Sequence, residues 1–461
     1  MGYDLAVVGS GGAGFAAAIA ATAKGLRVVM VERSTMGGTC VNVGCIPSKA
    51  LLAAAEARQV SVEGRFPGIA TSGGSTDMAA LVAGKDDIVG RLRREKYVDL
   101  ALDYGWEVRH GEARFIEGPA LMVGGERIEA DQFLIATGAK PWVPALPGLE
   151  DTGYLTSTSA LALSELPGSL IVVGGNYVGL EMGQMFARLG TSVTLVEAMD
   201  RVAPGEEPEL SEVITGVLAD EGVDVWTSAV LAGVSRQDGK VVARVADGRE
   251  VRAEAILMAT GRRPATGGLG LETVGVQTGL AGEVIVDASL RSANPRIWAA
   301  GDVTGAAQFV YVAGAHGTMV VDNAFAGAGR TVDYTHLPRV TFTTPNLAAV
   351  GLTDAQAVAA GVECTCRVLP LAYVPRAIVT RDARGVIKIV AEAATGRVVG
   401  IHIAAPNAGE VILAATYALQ AGMTTDQLAN TWAPYLTMAE GIKLAAQSFS
   451  TDITKLSCCA T

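Results

Sequence analysis

Apolar residues in this chain come in short dense runs that break on glycine, a rhythm that predicts strands alternating with helices. Asp4 to Val8 reads as a strand, Gly9-Ser10-Gly11-Gly12-Ala13-Gly14 as a turn, Phe15 to Lys24 as an Ala-rich helix, and Arg27 to Val31 as a second strand closing on Glu32. This βαβ opening has the GxGxxG spacing with strand, glycines, helix and terminal acid in register. Glycine lets the backbone turn sharply against a pyrophosphate at a helix N-terminus, and the acid accepts from a ribose hydroxyl. The pattern returns 165 residues later: Leu170 to Val173, Gly174-Gly175-Asn176-Tyr177-Val178-Gly179, a helix to Leu189, and Val193 to Val196 ending on Glu197. Glu197 follows Gly174 by 23 residues, as Glu32 follows Gly9, although Asn176 replaces the middle glycine. Two dinucleotide sites predict two dinucleotides.

Between the copies, Trp106 to Ala136 alternates as strands around a Gly124-Gly125 turn, and Ala136-Thr137-Gly138 closes the first fold as Ala259-Thr260-Gly261 closes the second. Ile297 to Ala300 then runs into Gly301-Asp302, a strand-end acid placed to face a cofactor. From about Leu337 the chain turns to β-branched strands (Val340 to Thr343, Val386 to Val390, Val398 to His402), with helices near Ala408 to Ala421 and Met438 to Gln447. The expected class is α/β, two Rossmann-like dinucleotide-binding domains followed by a separate α+β domain.

Composition agrees with that size and class. The 461 residues make about three domains at roughly 150 residues each. Gly is 56 of them and half the chain is hydrophobic, which suits close-packed helices on sheets. Charge is 36 basic against 47 acidic, a net of −11 with no basic cluster, so no nucleic-acid partner is expected. Mean hydropathy is positive, yet no stretch approaches the roughly 18 uncharged apolar residues of a membrane span, so no membrane partner is expected. Met1 leads directly into a strand without a signal peptide, and Ala6 stands where a myristoylation motif needs Ser or Thr. A cytoplasmic location is the expectation.

The six cysteines fall in pairs: Cys40 with Cys45, Cys364 with Cys366, and Cys458 with Cys459 near the C-terminal end. In a reducing compartment such pairs are more often catalytic or metal-binding than structural. Cys40 and Cys45 sit in Gly38-Thr39-Cys40-Val41-Asn42-Val43-Gly44-Cys45-Ile46-Pro47-Ser48-Lys49, leading into a helix. Cysteines five apart at a helix start can close a disulfide, and the helix dipole with Lys49 lowers a thiolate pKa. Cys364 and Cys366 share one face of an expected strand and read as small buried hydrophobes. His110, His316, His336 and His402 are isolated in sequence and read as structural.

The Thr-Cys-x4-Cys-Ile-Pro-Ser-Lys segment between two nucleotide folds resembles the FAD-dependent pyridine nucleotide-disulfide oxidoreductases, and the resemblance covers essentially the whole chain. It implies an FAD-binding domain over 1–147 completed by 266–336, an NAD(P)H-binding domain over 148–265, and a dimerisation domain over 337–461. FAD would be held by Gly9, Gly11, Gly14, Glu32, Thr39, Lys49, Ala113 and Gly138, with Asp302 and Val310 near the flavin. The nicotinamide cofactor would take Gly174, Gly179 and Glu197, with Tyr177 gating its ring and Glu181 pairing with Lys49.

Disulfide-reducing members hold a His, supported by a Glu, to protonate the leaving thiolate. In Trp432-Ala433-Pro434-Tyr435-Leu436-Thr437-Met438-Ala439-Glu440, Tyr435 stands where that His belongs and Glu440 remains. A phenol with a pKa near 10 is a poor substitute. Adjacent Cys458 and Cys459 suit a soft, thiophilic ion, and the combination resembles the mercuric reductases. That branch implies Hg(II) arriving as a thiol complex or from a mercury carrier, bound by Cys458 and Cys459 of one subunit of a homodimer. Thiolate exchange would pass it to Cys40 and Cys45 of the other, beside Tyr97 and Tyr435, for reduction to Hg(0). The branch's N-terminal metal-binding domain has no counterpart, so the catalytic core is expected. Glu197 favours the free 2′-hydroxyl of NADH while the branch mostly uses NADPH, and Arg201, four residues on, could serve a 2′-phosphate. The other readings are a thioredoxin-reductase-like or dihydrolipoyl-dehydrogenase-like disulfide reductase, which keeps the His, and an Hg(II) buffer, which leaves both nucleotide folds unexplained.

Overall fold

The computed structural model describes residues 2–455; Cys458 and Cys459 lie outside the described residues. Strand β1 (Tyr3–Val8), helix α1 (Gly12–Ala23) and strand β2 (Val28–Glu32) open the chain, followed by helices α2 (Gly38–Asn42) and α3 (Cys45–Glu63). Among the described residues, β1 and β2 belong to a five-stranded parallel sheet whose order is Ile297–Ala299, Ala130–Ile135, β1, β2, Glu107–His110. Every residue of β2 is buried. The sheet is covered on both faces, by α1 and the helix Val310–Ala326 on one side and by the antiparallel strands Ala113–Ile116, Ala120–Val123 and Glu126–Ile128 on the other, so its strands read as continuous apolar runs rather than alternating ones. The fifth strand, Ile297–Ala299, arrives only after the whole second nucleotide fold, and the helix Val310–Ala326 that follows it packs along α1.

The second five-stranded parallel sheet has the order Asp224–Trp226, Ser192–Val196, Ser169–Val173, Ala255–Met258, Leu155–Thr156. The two nucleotide folds are stitched together where each Ala-Thr-Gly tripeptide exits. Ala139–Pro141 pairs antiparallel with Arg262–Pro264, in the register Arg262 to Pro141 and Pro264 to Ala139.

The last sheet is antiparallel, in the order Arg339–Thr341, Asn346–Gly351, Val398–Ala405, Val386–Glu392, Cys364–Pro370. Helices Ala408–Gln420 and Glu440–Gln447 share its core. No helix among the described residues is long and apolar enough to cross a membrane. The expected burial of Cys364 and Cys366 is corrected: both are half-exposed, because their strand lies at the sheet edge, where one side has no neighbour.

Candidate functional site

Cys40 lies in α2 and Cys45 is the first residue of α3, so the two cysteines are joined by a tight turn at Val43 and Gly44. Asn42 fixes α2 to the segment that leads into it: its Nδ2 donates to the Met36 and Gly38 carbonyls, each at 2.9 Å. Cys40 is half-buried and Cys45 is exposed. A hydrogen bond from the Cys40 thiol, together with the nearby Lys49 ammonium and against the pull of burial, lowers the Cys45 thiol to about 7. The same interaction, with burial, drives Cys40 upward. The pair therefore carries its first negative charge on Cys45, at a helix N-terminus.

Lys49, one turn into α3, has its Nζ 2.6 Å from Glu181 Oε2 on the helix Tyr177–Leu189. The other oxygen of Glu181 accepts from the Phe342 backbone N–H at 2.9 Å, and Lys49 Nζ stands 4.4 Å from the centre of the Phe342 ring. Both nucleotide folds and the segment after Arg339–Thr341 thus meet on one ion pair. Tyr97 lies in a π-helical turn, Arg94–Val98, with its ring edge-on to Phe15 at 4.7 Å. Burial raises its phenol, and both cysteines act on it electrostatically in the same direction, so Tyr97 borders the pair as a neutral hydroxyl. Tyr435 is exposed on the turn ahead of Glu440–Gln447, where the Leu436 N–H donates to Glu440 Oε2 at 3.3 Å.

The first nucleotide cradle sits at the C-terminal ends of its strands. Gly9 has φ of +105°, and a Cβ on Gly14 would strike the Gly9 carbonyl, so strand, turn and helix can touch only as glycine. Neither α1 nor its first turn has a side-chain cap, leaving its N–H groups for an anion. Glu32 accepts from the Ser10 Oγ at 2.6 Å and the Ser34 N–H at 2.8 Å. Burial opposes its charge, yet these hydrogen bonds hold the carboxyl below its ordinary range. Thr137 Oγ1, one residue before Gly138, is buried without a hydrogen-bond partner among the described groups, a donor waiting for a polar ligand.

Thr39 shares α2 with Cys40, and Ala113 is buried at the start of a strand two residues past Gly111, whose N–H donates to the Glu32 carbonyl at 3.0 Å. Val310 opens its helix beside α1, its Cγ2 closing over Gly12, and Asp302 follows Ile297–Ala299 in a short helical turn. Burial raises the Asp302 carboxyl, and the Arg262 guanidinium, which also feels Cys45, partly offsets that. The glycine turn, the orphan hydroxyl and the strand-end acid fit FAD.

The second cradle repeats the first. Gly174 has φ of +108°, and a Cβ on Gly179 would strike the Gly174 carbonyl. Asn176 has φ of −103° and ψ of −168°, extended backbone open to any residue, which is why the turn survives loss of its middle glycine. Glu197 accepts from the Gly175 N–H at 2.5 Å and the Met199 N–H at 2.7 Å. Arg201, in contrast, turns back on its own loop, donating to the Pro204 carbonyl at 2.9 Å. Tyr177 is half-buried, its ring centre 6.3 Å from Phe309, which stacks on Tyr311 at 5.3 Å. Arg262, Phe309, Tyr311 and Phe342 escaped sequence reasoning. The Ala-Thr-Gly-Arg-Arg-Pro run around Arg262 was the one signal that could have found any of them.

Known proteins place this arrangement. The pyridine nucleotide-disulphide oxidoreductase family model matches residues 3–317, and the dimerisation domain of the same family matches residues 337–446. A mercuric reductase from Streptomyces lividans is 56% identical over 468 aligned residues, covering 100% of this chain and 98% of that protein. One from Staphylococcus aureus is 48% identical, covering 99% of this chain and 84% of its own length. Among solved structures, the Cu(II) complex of the HOCl-induced flavoprotein disulfide reductase RclA from Escherichia coli superposes with a TM-score of 0.88 at 32% identity, covering 98% of this chain and 100% of that one.

Proposed function

Because the chain belongs to the pyridine nucleotide-disulphide oxidoreductase family, we propose that it reduces Hg(II) to Hg(0) with two electrons from NAD(P)H, passed through FAD to the Cys40 and Cys45 pair. The observation that carries this reading is the Cys45 thiolate, poised at about 7 beside Cys40, in a chain whose tyrosine, Tyr435, replaces the acid that disulfide reduction needs. An exposed phenol, with an ordinary pKa near 10, is a poor acid for a leaving thiolate near neutral pH. A bound metal ion leaving as Hg(0) needs no such proton. The full-length likeness to proteins named mercuric reductase supports the same choice over a disulfide reductase.

FAD supplies a two-electron relay between the nicotinamide and the cysteine pair. Gly9, Gly14, the open end of α1 and Glu32 would bind its pyrophosphate and ribose, and Thr39, Ala113, Gly138, Asp302 and Val310 would line its site. Glu197 and the turn from Gly174 to Gly179 would hold the nicotinamide dinucleotide, with Tyr177 gating its ring. Lys49, anchored by Glu181, keeps Cys45 ionised. Hg(II) enters by thiolate exchange: each new Hg–S bond to Cys40 or Cys45 replaces one to a small thiol, the thiolate displaced by Cys40 leaving with the Cys40 proton and the one displaced by the already ionised Cys45 leaving as a thiolate.

Delivery falls to Cys458 and Cys459 of the partner subunit, with Tyr97 and the partner's Tyr435 beside the ion. Exposed apolar groups on the dimerisation domain, Leu413, Tyr417, Trp432 and Leu436, supply a surface for that homodimer. Glu197, with Arg201 turned away, favours NADH over NADPH.

The test is anaerobic NADH or NADPH oxidation with Hg(II) and excess small thiol, beside oxidised lipoamide, glutathione disulfide and thioredoxin. Mercury-dependent turnover with release of Hg(0) is expected. Turnover of a disulfide with no Hg(0) would overturn the reading.

A further inference from the structure

Cys364 and Cys366 take no part in the chemistry above. They begin the edge strand Cys364–Pro370, and alternation puts both on one face of the sheet. Thr365, Arg367 and Leu369 occupy the other face, where Leu369 joins the core of helices Ala408–Gln420 and Glu440–Gln447 and Arg367 Nε donates to the Ser448 carbonyl at 3.3 Å. The cysteines therefore point away from the helical face that carries exposed Leu413 and Tyr417. Both thiols are free and half-exposed, and they hydrogen-bond to each other.

Their spacing suits an ion better than a disulfide. At about 3.3 Å per residue their Cα atoms stand about 6.6 Å apart with parallel side chains, whereas a disulfide needs Cβ atoms about 3.5–4.5 Å apart. Two metal–sulfur bonds of about 2.3 Å in a line span about 4.6 Å between sulfurs, within reach of two side chains leaning together. Burial first, and then the neighbouring Cys364, push the Cys366 thiol up to about 12, which rules it out as a nucleophile at neutral pH without hindering a thiophilic ion that displaces the proton.

The surroundings are anionic. Lys388, on the same sheet face, is shared by Glu207, Glu209 and Asp354, each with an oxygen 2.9 Å from its Nζ, so three carboxylates face one ammonium beside Cys366. Those carboxylates are engaged by Lys388, and no group of three or more His, Cys, Asp or Glu among the described residues could hold a metal. That leaves two sulfur ligands, a set for a soft two-coordinate ion and not for a tetrahedral one.

We propose that Cys364 and Cys366 form a second soft-metal site, separate from the redox pair, that holds Hg(II) as a two-coordinate dithiolate. Loading exchanges two Hg–S bonds to small thiols for two to the cysteines, and the two cysteine protons leave on the released thiols; no electrons move. The binding is therefore independent of whether the enzyme reduces mercury.

The test uses the full-length, FAD-loaded protein with Cys40, Cys45, Cys458 and Cys459 all changed to Ser, so that Cys364 and Cys366 alone remain of the six cysteines. Without pyridine nucleotide, and in competition with free cysteine, it should retain about one Hg(II) per chain through gel filtration, and adding Cys366→Ser should abolish retention while FAD content is unchanged. In the unaltered protein, Hg(II) should protect Cys364 from alkylation, mapped by mass spectrometry. Retention that survives Cys366→Ser, or absence of both retention and protection, would overturn the proposal.

Discussion

At the scale of single residues, the chemistry turns on where one charge sits. Cys45 is lowered to about 7 from an ordinary thiol value of 9, so its thiolate fraction climbs as the pH rises through neutrality and falls away below it. Alkylation of the reduced protein by iodoacetamide should follow that curve with a midpoint near 7. Lys49→Met removes the favourable ammonium and leaves the Glu181 carboxylate facing the cysteines. The midpoint should then rise by about one unit or more; a midpoint that does not move would exclude Lys49 as the stabilising charge. Glu197 offers a second measurement. With Arg201 held by its own loop, kcat/KM should favour NADH, and Glu197→Gln should narrow the ratio about tenfold, roughly 1.4 kcal/mol. A chain that prefers NADPH would show that Arg201 leaves the Pro204 carbonyl when the coenzyme binds.

Elements show what a linear reading can reach. The strand ends, the glycine turns, Glu32 and the Cys40 to Cys45 spacing are contiguous in sequence, so the forces that shape them are local and legible. Lys49 and Glu181 lie 132 residues apart and joined only through family likeness. Phe342 was invisible because its role rests on a backbone N–H and a ring face delivered from another domain. Cys364 and Cys366 were misjudged as buried because alternation reveals which face a side chain takes but not whether its strand lies at an edge. The helix Tyr177–Leu189 ends on another such long-range device. Arg188 forms a two-pronged bond with Glu221, at 2.6 and 2.9 Å, and reaches Glu56 of α3; the Arg188 and Glu221 side chains are each 3% exposed. Arg188→Ala strands a buried carboxylate and should destabilise the fold by about 3–5 kcal/mol in a denaturant titration. Glu221→Gln, which keeps a hydrogen-bond acceptor, should lose less; equal losses would mean that packing, not charge, dominates there.

For the whole molecule, the sharing of sites between subunits is open to a direct test. A chain with Cys40→Ala keeps its C-terminal cysteines, and a chain with Cys458→Ala and Cys459→Ala keeps its redox pair. Each homodimer should be slow toward Hg(II) presented as a bulky thiol complex, whereas a mixed dimer assembles one complete site and should recover about half the normal rate per dimer. An inactive mixed dimer would place delivery within one chain. The order of strands also governs how such a molecule is made. Because Ile297–Ala299 completes a sheet begun at β1, the strand Ala130–Ile135 emerges from the ribosome with one apolar edge unpaired and waits while the entire second nucleotide fold is synthesised, roughly ten to thirty seconds at ordinary elongation rates. Flavin capture thus belongs to the closing stage of biosynthesis, and any nascent chain interrupted before Ile297 exposes a sticky strand edge, marking it for chaperones and quality-control proteases.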